Sequence, residues 1–82
     1  MTATFTTTSD AIDHVKALMR THQVDARWVS AGQDCQGIYI TVATRFDPTR
    51  AGQLMRDAGF DSVTTSEACD EVYAVAALTV GA

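Results

Sequence analysis

Gly37-Ile38-Tyr39-Ile40-Thr41-Val42-Ala43-Thr44 alternates with period two. It reads as a strand with Ile38, Ile40 and Val42 on one face and Tyr39, Thr41 and Ala43 on the other. Three residues on, Asp47-Pro48 opens a helix. Aspartate accepts backbone N–H bonds as an N-cap, and proline fits the first helical position because its missing N–H would have no partner there. Ala51, Leu54, Met55 and Ala58 then recur as an apolar stripe. Gly59 suits a left-handed C-cap, and Phe60 can fold back onto Leu54 or Met55. A two-faced strand running into an amphipathic helix marks a mixed α+β chain.

Working outward, residues 26–31 read as a second strand, joined to the first by the turn-like Asp34-Cys35-Gln36-Gly37. Before it, Ser9-Asp10 is an N-cap signal, and Ile12, Val15, Leu18, Met19 and His22 recur at helical spacing, predicting a helix over 10–22. Asp13, Lys16 and Arg20 fall on its wet side. The threonine-rich residues 2–8 read as a strand with Phe5 pointing inward. Beyond Phe60, residues 62–66 and 72–80 are the last strands, with the acidic loop Glu67-Ala68-Cys69-Asp70-Glu71 between them. The order is β-α-β-β-α-β-β.

Shifting the chain by 34 positions aligns the two hairpins: Val29 on Val63, Cys35 on Cys69, Tyr39 on Tyr73 and Ala43 on Ala77. Leu18-Met19-Arg20 aligns on Leu54-Met55-Arg56 once two residues are dropped. Chance and shared hairpin patterning could also produce such matches. Two pseudo-repeated helix–hairpin halves, about 9–44 and 47–80 of a single domain 1–82, would build a ferredoxin-like sandwich with two helices on one face of a largely antiparallel sheet. The hairpin tips would then lie at opposite ends of the sheet, too far apart for Cys35 and Cys69 to form a disulfide.

The size fits one domain: 82 residues, 46% hydrophobic and 20% charged. The net charge of −4 disfavours nonspecific nucleic-acid binding and favours basic partner surfaces. Two cysteines are too few for a disulfide scaffold, residues 1–9 lack the features of a signal peptide, and residues 72–82 span only half a bilayer. A cytoplasmic protein with no membrane association is expected.

Strand parity puts Phe5, Val29, Ile38, Ile40, Val42, Val63, Val72, Ala74, Ala76 and Leu78 under the helices. Trp28, Tyr39, Tyr73 and Val75 fall on the opposite face, which no remaining element covers. Such a face is a candidate contact surface, with a second copy of the chain as one partner. Its aromatics resemble those of single-stranded RNA readers, but the glycine–aromatic motif is missing and Lys and Arg are scarce.

No catalytic, metal or cofactor site is expected. His14 and His22 are eight apart, no Cys-x-x-Cys occurs, and the five glycines are scattered rather than gathered in a phosphate loop. Asp10, Asp13 and His14 read as a cap and a wet face. Arg45 and Arg50 near the second helix start are opposed by Asp47 as an anion site. Glu67, Asp70 and Glu71 are either a solvated hairpin tip or an acidic prong for a basic surface.

Three functions remain open. The first is a non-catalytic interaction module that self-associates through the open sheet face. The second is an inhibitor of a host complex, since a short, acidic, motif-poor chain is similar in general appearance to the small accessory proteins of phages and mobile elements, anti-CRISPR proteins among them. The third is an enzyme or small-ligand binder with an inter-subunit pocket using His14, His22, Arg45 and Arg50, an analogy at the level of the fold alone.

Overall fold

The computed structural model describes residues 3–35 and 37–78. Its elements are β1 (Thr4–Phe5), α1 (Thr8–Thr21), β2 (Ala26–Gln33), β3 (Ile38–Thr44), α2 (Pro48–Asp57), β4 (Asp61–Ser66) and β5 (Glu71–Leu78). The expected sequence of helices and strands is present. Residues 79–80 of the expected last strand, and Gln36 of the first hairpin turn, lie outside the described residues.

The helix boundaries follow from their caps. Asp47 caps α2, its carboxylate accepting the Arg50 N–H at 3.0 Å, with Pro48 next. At the far end the Gly59 N–H donates to the Arg56 carbonyl and the Phe60 N–H to the Met55 carbonyl, both at 3.0 Å. Gly59 has φ 96°, which completes a Schellman motif. Helix α1 starts earlier than Ser9-Asp10 suggests. The Thr7 hydroxyl oxygen accepts the Asp10 N–H at 3.1 Å, so Thr7 is the cap and Asp10 lies in the first turn. Helix α1 ends in the same way as α2. The Gln23 N–H donates to the Arg20 carbonyl, the Val24 N–H to the Met19 carbonyl, and Gln23 takes φ 59° without being glycine.

The five strands form one mixed sheet. Strand β2 is an edge, β3 pairs with it antiparallel, and β5 pairs antiparallel with β3. The other side of β5 is shared: β4 pairs antiparallel along Glu71–Val75 and β1 pairs parallel at Ala77 and Leu78. This departs from the ferredoxin-like order, and the supported class is α+β. The physical reason lies at both chain ends. Thr7 serves as a cap, which leaves only Thr4–Phe5 to pair, whereas β5 offers eight residues with Val72, Ala74 and Ala76 on one face.

Helix α1 packs over β2 and β3, α2 over β4 and β5, and the helices touch each other. The buried core is Ala11, Val15, Met19, Ile38, Ile40, Val42, Ala51, Met55, Phe60, Val72, Ala74 and Ala76, joined by Val24. On α1 the deepest stripe is Ala11, Val15 and Met19. Ile12 and Leu18 are half-buried and His22 is exposed, so the helix is rotated slightly from the expected stripe. Phe5 and Phe60 stack with ring centroids 5.8 Å apart, closing the core beside β1. Gly52 lets α2 approach β4 closely: a Cβ there would lie 2.6 Å from Thr65 Oγ1.

The register places the hairpin tips at opposite ends of the sheet, as expected. Ile38 pairs with Ala76, near the first tip, while Ala43 pairs with Glu71, near the second. Cys35 and Cys69 are both free and exposed.

Candidate interaction surface

Parity resolves as expected on the outer face. Ile38, Ile40, Val42, Val72, Ala74 and Ala76 are buried, and the residues between them face away from the helices. In register, Trp28 stands opposite Ala43, which pairs with Glu71, itself opposite Ser66. The next row is Ser30, Thr41, Tyr73 and Thr64, and the third is Gly32, Tyr39, Val75 and Asp61. Trp28 is 45% exposed, Tyr39 44% and Tyr73 41%; Val75 is half-buried between its neighbours. Ala43 is on this face yet only 2% exposed, a small side chain between Trp28 and Glu71. The two tyrosines are diagonal neighbours across β3 and β5, within reach of one shared contact.

Each tyrosine is tied to a carboxylate. The Tyr73 hydroxyl donates to Glu71 Oε1 at 3.1 Å. That hydrogen bond first, then desolvation and Glu71's charge, push the phenol above its ordinary 10.0. Tyr39 is raised in the same direction, first by its hydrogen bond to Asp34 and then by that carboxylate's charge. Asp34 also accepts the Gly37 N–H at 3.1 Å, so the turn that closes the hairpin holds the tyrosine's partner in place. Both phenols are therefore fixed, neutral and outward-facing.

The acidic residues separate by role. Glu67 is exposed and accepts the Thr49 hydroxyl at 3.4 Å. Asp70 adopts φ 54°, a left-handed conformation that aspartate tolerates. Its carbonyl accepts the Thr44 N–H at 2.8 Å and the Thr44 hydroxyl at 3.2 Å. Asp70 thus shapes the hairpin tip through its backbone as well as adding charge.

Two features were not singled out in the sequence. Phe46, 86% exposed, projects from the short connection between β3 and α2. Its position between a finished strand pattern and the Asp47 cap assigns it to neither apolar face, which is the signal that could have flagged it. The second feature is a groove of about 440 Å³ between α1 and the edge strand β2, lined by Lys16, Arg20, Asp25, Arg27 and Trp28 with Met19 and Val24 at its base. Lys16 and Arg20 share a helix face by their spacing of four. Only the packing of α1 on β2 brings Arg27 and Trp28 beside them.

Of the residues considered for a ligand pocket, His22, Arg45 and Arg50 gather near the connection between α1 and β2, and His14 lies apart from them. His14 packs against the rings of Phe5 and Phe60, with centroids 5.2 and 6.3 Å away. Arg45 Nε pairs with Asp25 Oδ2 at 3.1 Å, and Arg50 donates to the His22 carbonyl at 3.1 Å. Among the described residues no three of His, Cys, Asp and Glu gather closely enough to hold a metal, and no helix is long and apolar enough to cross a membrane. No protein-family model, curated protein or solved structure matches this chain.

Proposed function

We propose that the chain is a non-catalytic protein-interaction module that associates with a second copy of itself through the open sheet face. The observation that carries this reading is the exposure of Trp28, Tyr39 and Tyr73 together on a face that none of the described residues covers. These side chains supply large contact area at low rotamer cost. The middle row, Ser30, Thr41, Tyr73 and Thr64, carries no formal charge, with Glu71 in the row on one side of it and Asp61, opposite Val75, on the other. Two copies can bring this neutral middle row together in a sheet-on-sheet stack. The inter-subunit pocket reading has less support, since His14, Arg45 and Arg50 already make contacts within the chain.

Sedimentation equilibrium at tens of micromolar, on the wild type beside Trp28→Ala, Tyr39→Ala and Tyr73→Ala, tests this. A wild-type dimer weakened by each substitution is expected. A wild-type monomer, or a dimer unaffected by all three, overturns the reading.

A further inference from the structure

The chain carries six Lys and Arg, and they fall into two groups. Arg45 is paired with Asp25, Arg50 donates to the His22 carbonyl, and Arg56 donates to the Val63 carbonyl at 3.3 Å. Lys16, Arg20 and Arg27 make no ion pair among the described residues, and these three converge on the groove between α1 and β2 beside Trp28. Asp25, the carboxylate in the same lining, is paired with Arg45, so the groove keeps a net positive charge and suits an anionic occupant.

The complementary charge stands on the same molecule, at the same end of the sheet. Ala26, at the start of β2, pairs with Thr44, and the Thr44 N–H donates to the Asp70 carbonyl in the β4–β5 tip. Basic groove and acidic tip (Glu67, Asp70, Glu71) therefore flank one end of β3. Phe46 projects from the connection that follows β3 at that end, its aromatic ring 86% exposed. A positive patch beside a negative one, with an exposed aromatic near both, is self-complementary under a twofold axis: each groove meets the other copy's tip.

We infer that a second copy of this chain also makes contact at this end of the stacked sheets, its Glu67 and Glu71 entering the groove formed by Lys16, Arg20 and Arg27. The inference rests on self-association and names the polar contacts that orient the two copies. Steering by such patches weakens with added salt, whereas sheet-face burial does not.

Charge swapping tests it. Lys16→Glu/Arg20→Glu and Glu67→Lys/Glu71→Lys are made separately; Asp70 is left alone because it holds a left-handed turn. Circular dichroism confirms that both variants fold. Each is expected to lose dimer affinity by more than about tenfold, because groove and tip then repel. An equimolar mixture is expected to restore a dimer, since both contacts become attractive in the heterodimer, and Phe46→Ser is expected to weaken the wild-type dimer. Charge variants that still dimerise like the wild type, or a mixture that stays monomeric, overturn the inference. The sheet-face reading is separable through Tyr39→Ala, at the far end of the face: sensitivity to Tyr39 with indifference to charge reversal keeps the face and removes the groove–tip contact, and the converse pattern does the opposite. A wild-type monomer that instead binds a fluorescent oligothymidylate assigns the three cations to phosphate and also overturns the proposal.

Discussion

Gln23 and Gly59 occupy the same place in two identically closed helix ends, yet only one is glycine. A non-glycine residue at φ 59° brings its Cβ close to the backbone, at a cost of roughly 1–2 kcal/mol, partly offset by the greater unfolded-state entropy of glycine. Gln23→Gly is therefore expected to stabilise the fold by about 0.5–1 kcal/mol, read as a higher denaturant midpoint at unchanged slope. The tyrosines carry a second expectation at this scale. Asp34 and Glu71 hold Tyr39 and Tyr73 in their protonated forms above 10.0. A raised folded-state value means that the hydrogen bonds contribute fully below the unfolded tyrosine value and are lost as pH climbs through the folded one. Ultraviolet titration should show both phenols ionising late, and Glu71→Gln should return Tyr73 alone toward the ordinary range.

At the scale of elements, the first helix start separates what sequence shows from what packing decides. Thr7, Ser9 and Asp10 are all competent cap residues, and propensity alone does not choose among them. The register does: β1 ends at Phe5, and the chain turns into α1 with Thr7 extended at φ −136°. Thr7→Ala should cost about 1 kcal/mol and Ser9→Ala much less, a pair of denaturation curves that distinguishes the two caps directly. The Asp47-Pro48 start and Gly59 stop of α2 were legible because each residue there admits one structural use. The alternation of β2, β3 and β5 was equally legible and correctly placed Trp28, Tyr39 and Tyr73 outside. Strand order was not, since it depends on which strand finds the longest apolar partner. The basic groove was hidden for the same reason: Lys16 and Arg20 look like an ordinary wet helix face until α1 lies against Arg27.

At the scale of the whole molecule, the proposed contacts divide by physical character. The sheet face offers aromatic area around a neutral middle row, and the end of β3 offers opposed charges around Phe46. Burial of the first provides attraction without direction, while the second admits one relative orientation of two copies. The 34-residue correspondence between the hairpins adds nothing to this division: the tip after β2 carries Asp34 and Cys35, the tip after β4 carries Glu67 and Asp70, and only the latter sits beside the groove.

The placement of β5 bears on how the chain comes to be made. Every other element precedes it in sequence, yet it is the strand that joins β3 to β4 and β1. While the polypeptide emerges from a ribosome, the β3 edge that β5 will take is unpaired, and β4 has α2 against it but no strand beside it. Assembly must wait for residues 71–78, so the nascent chain passes through a stage rich in sticky, half-finished sheet, where premature pairing with a neighbouring polypeptide competes with maturation.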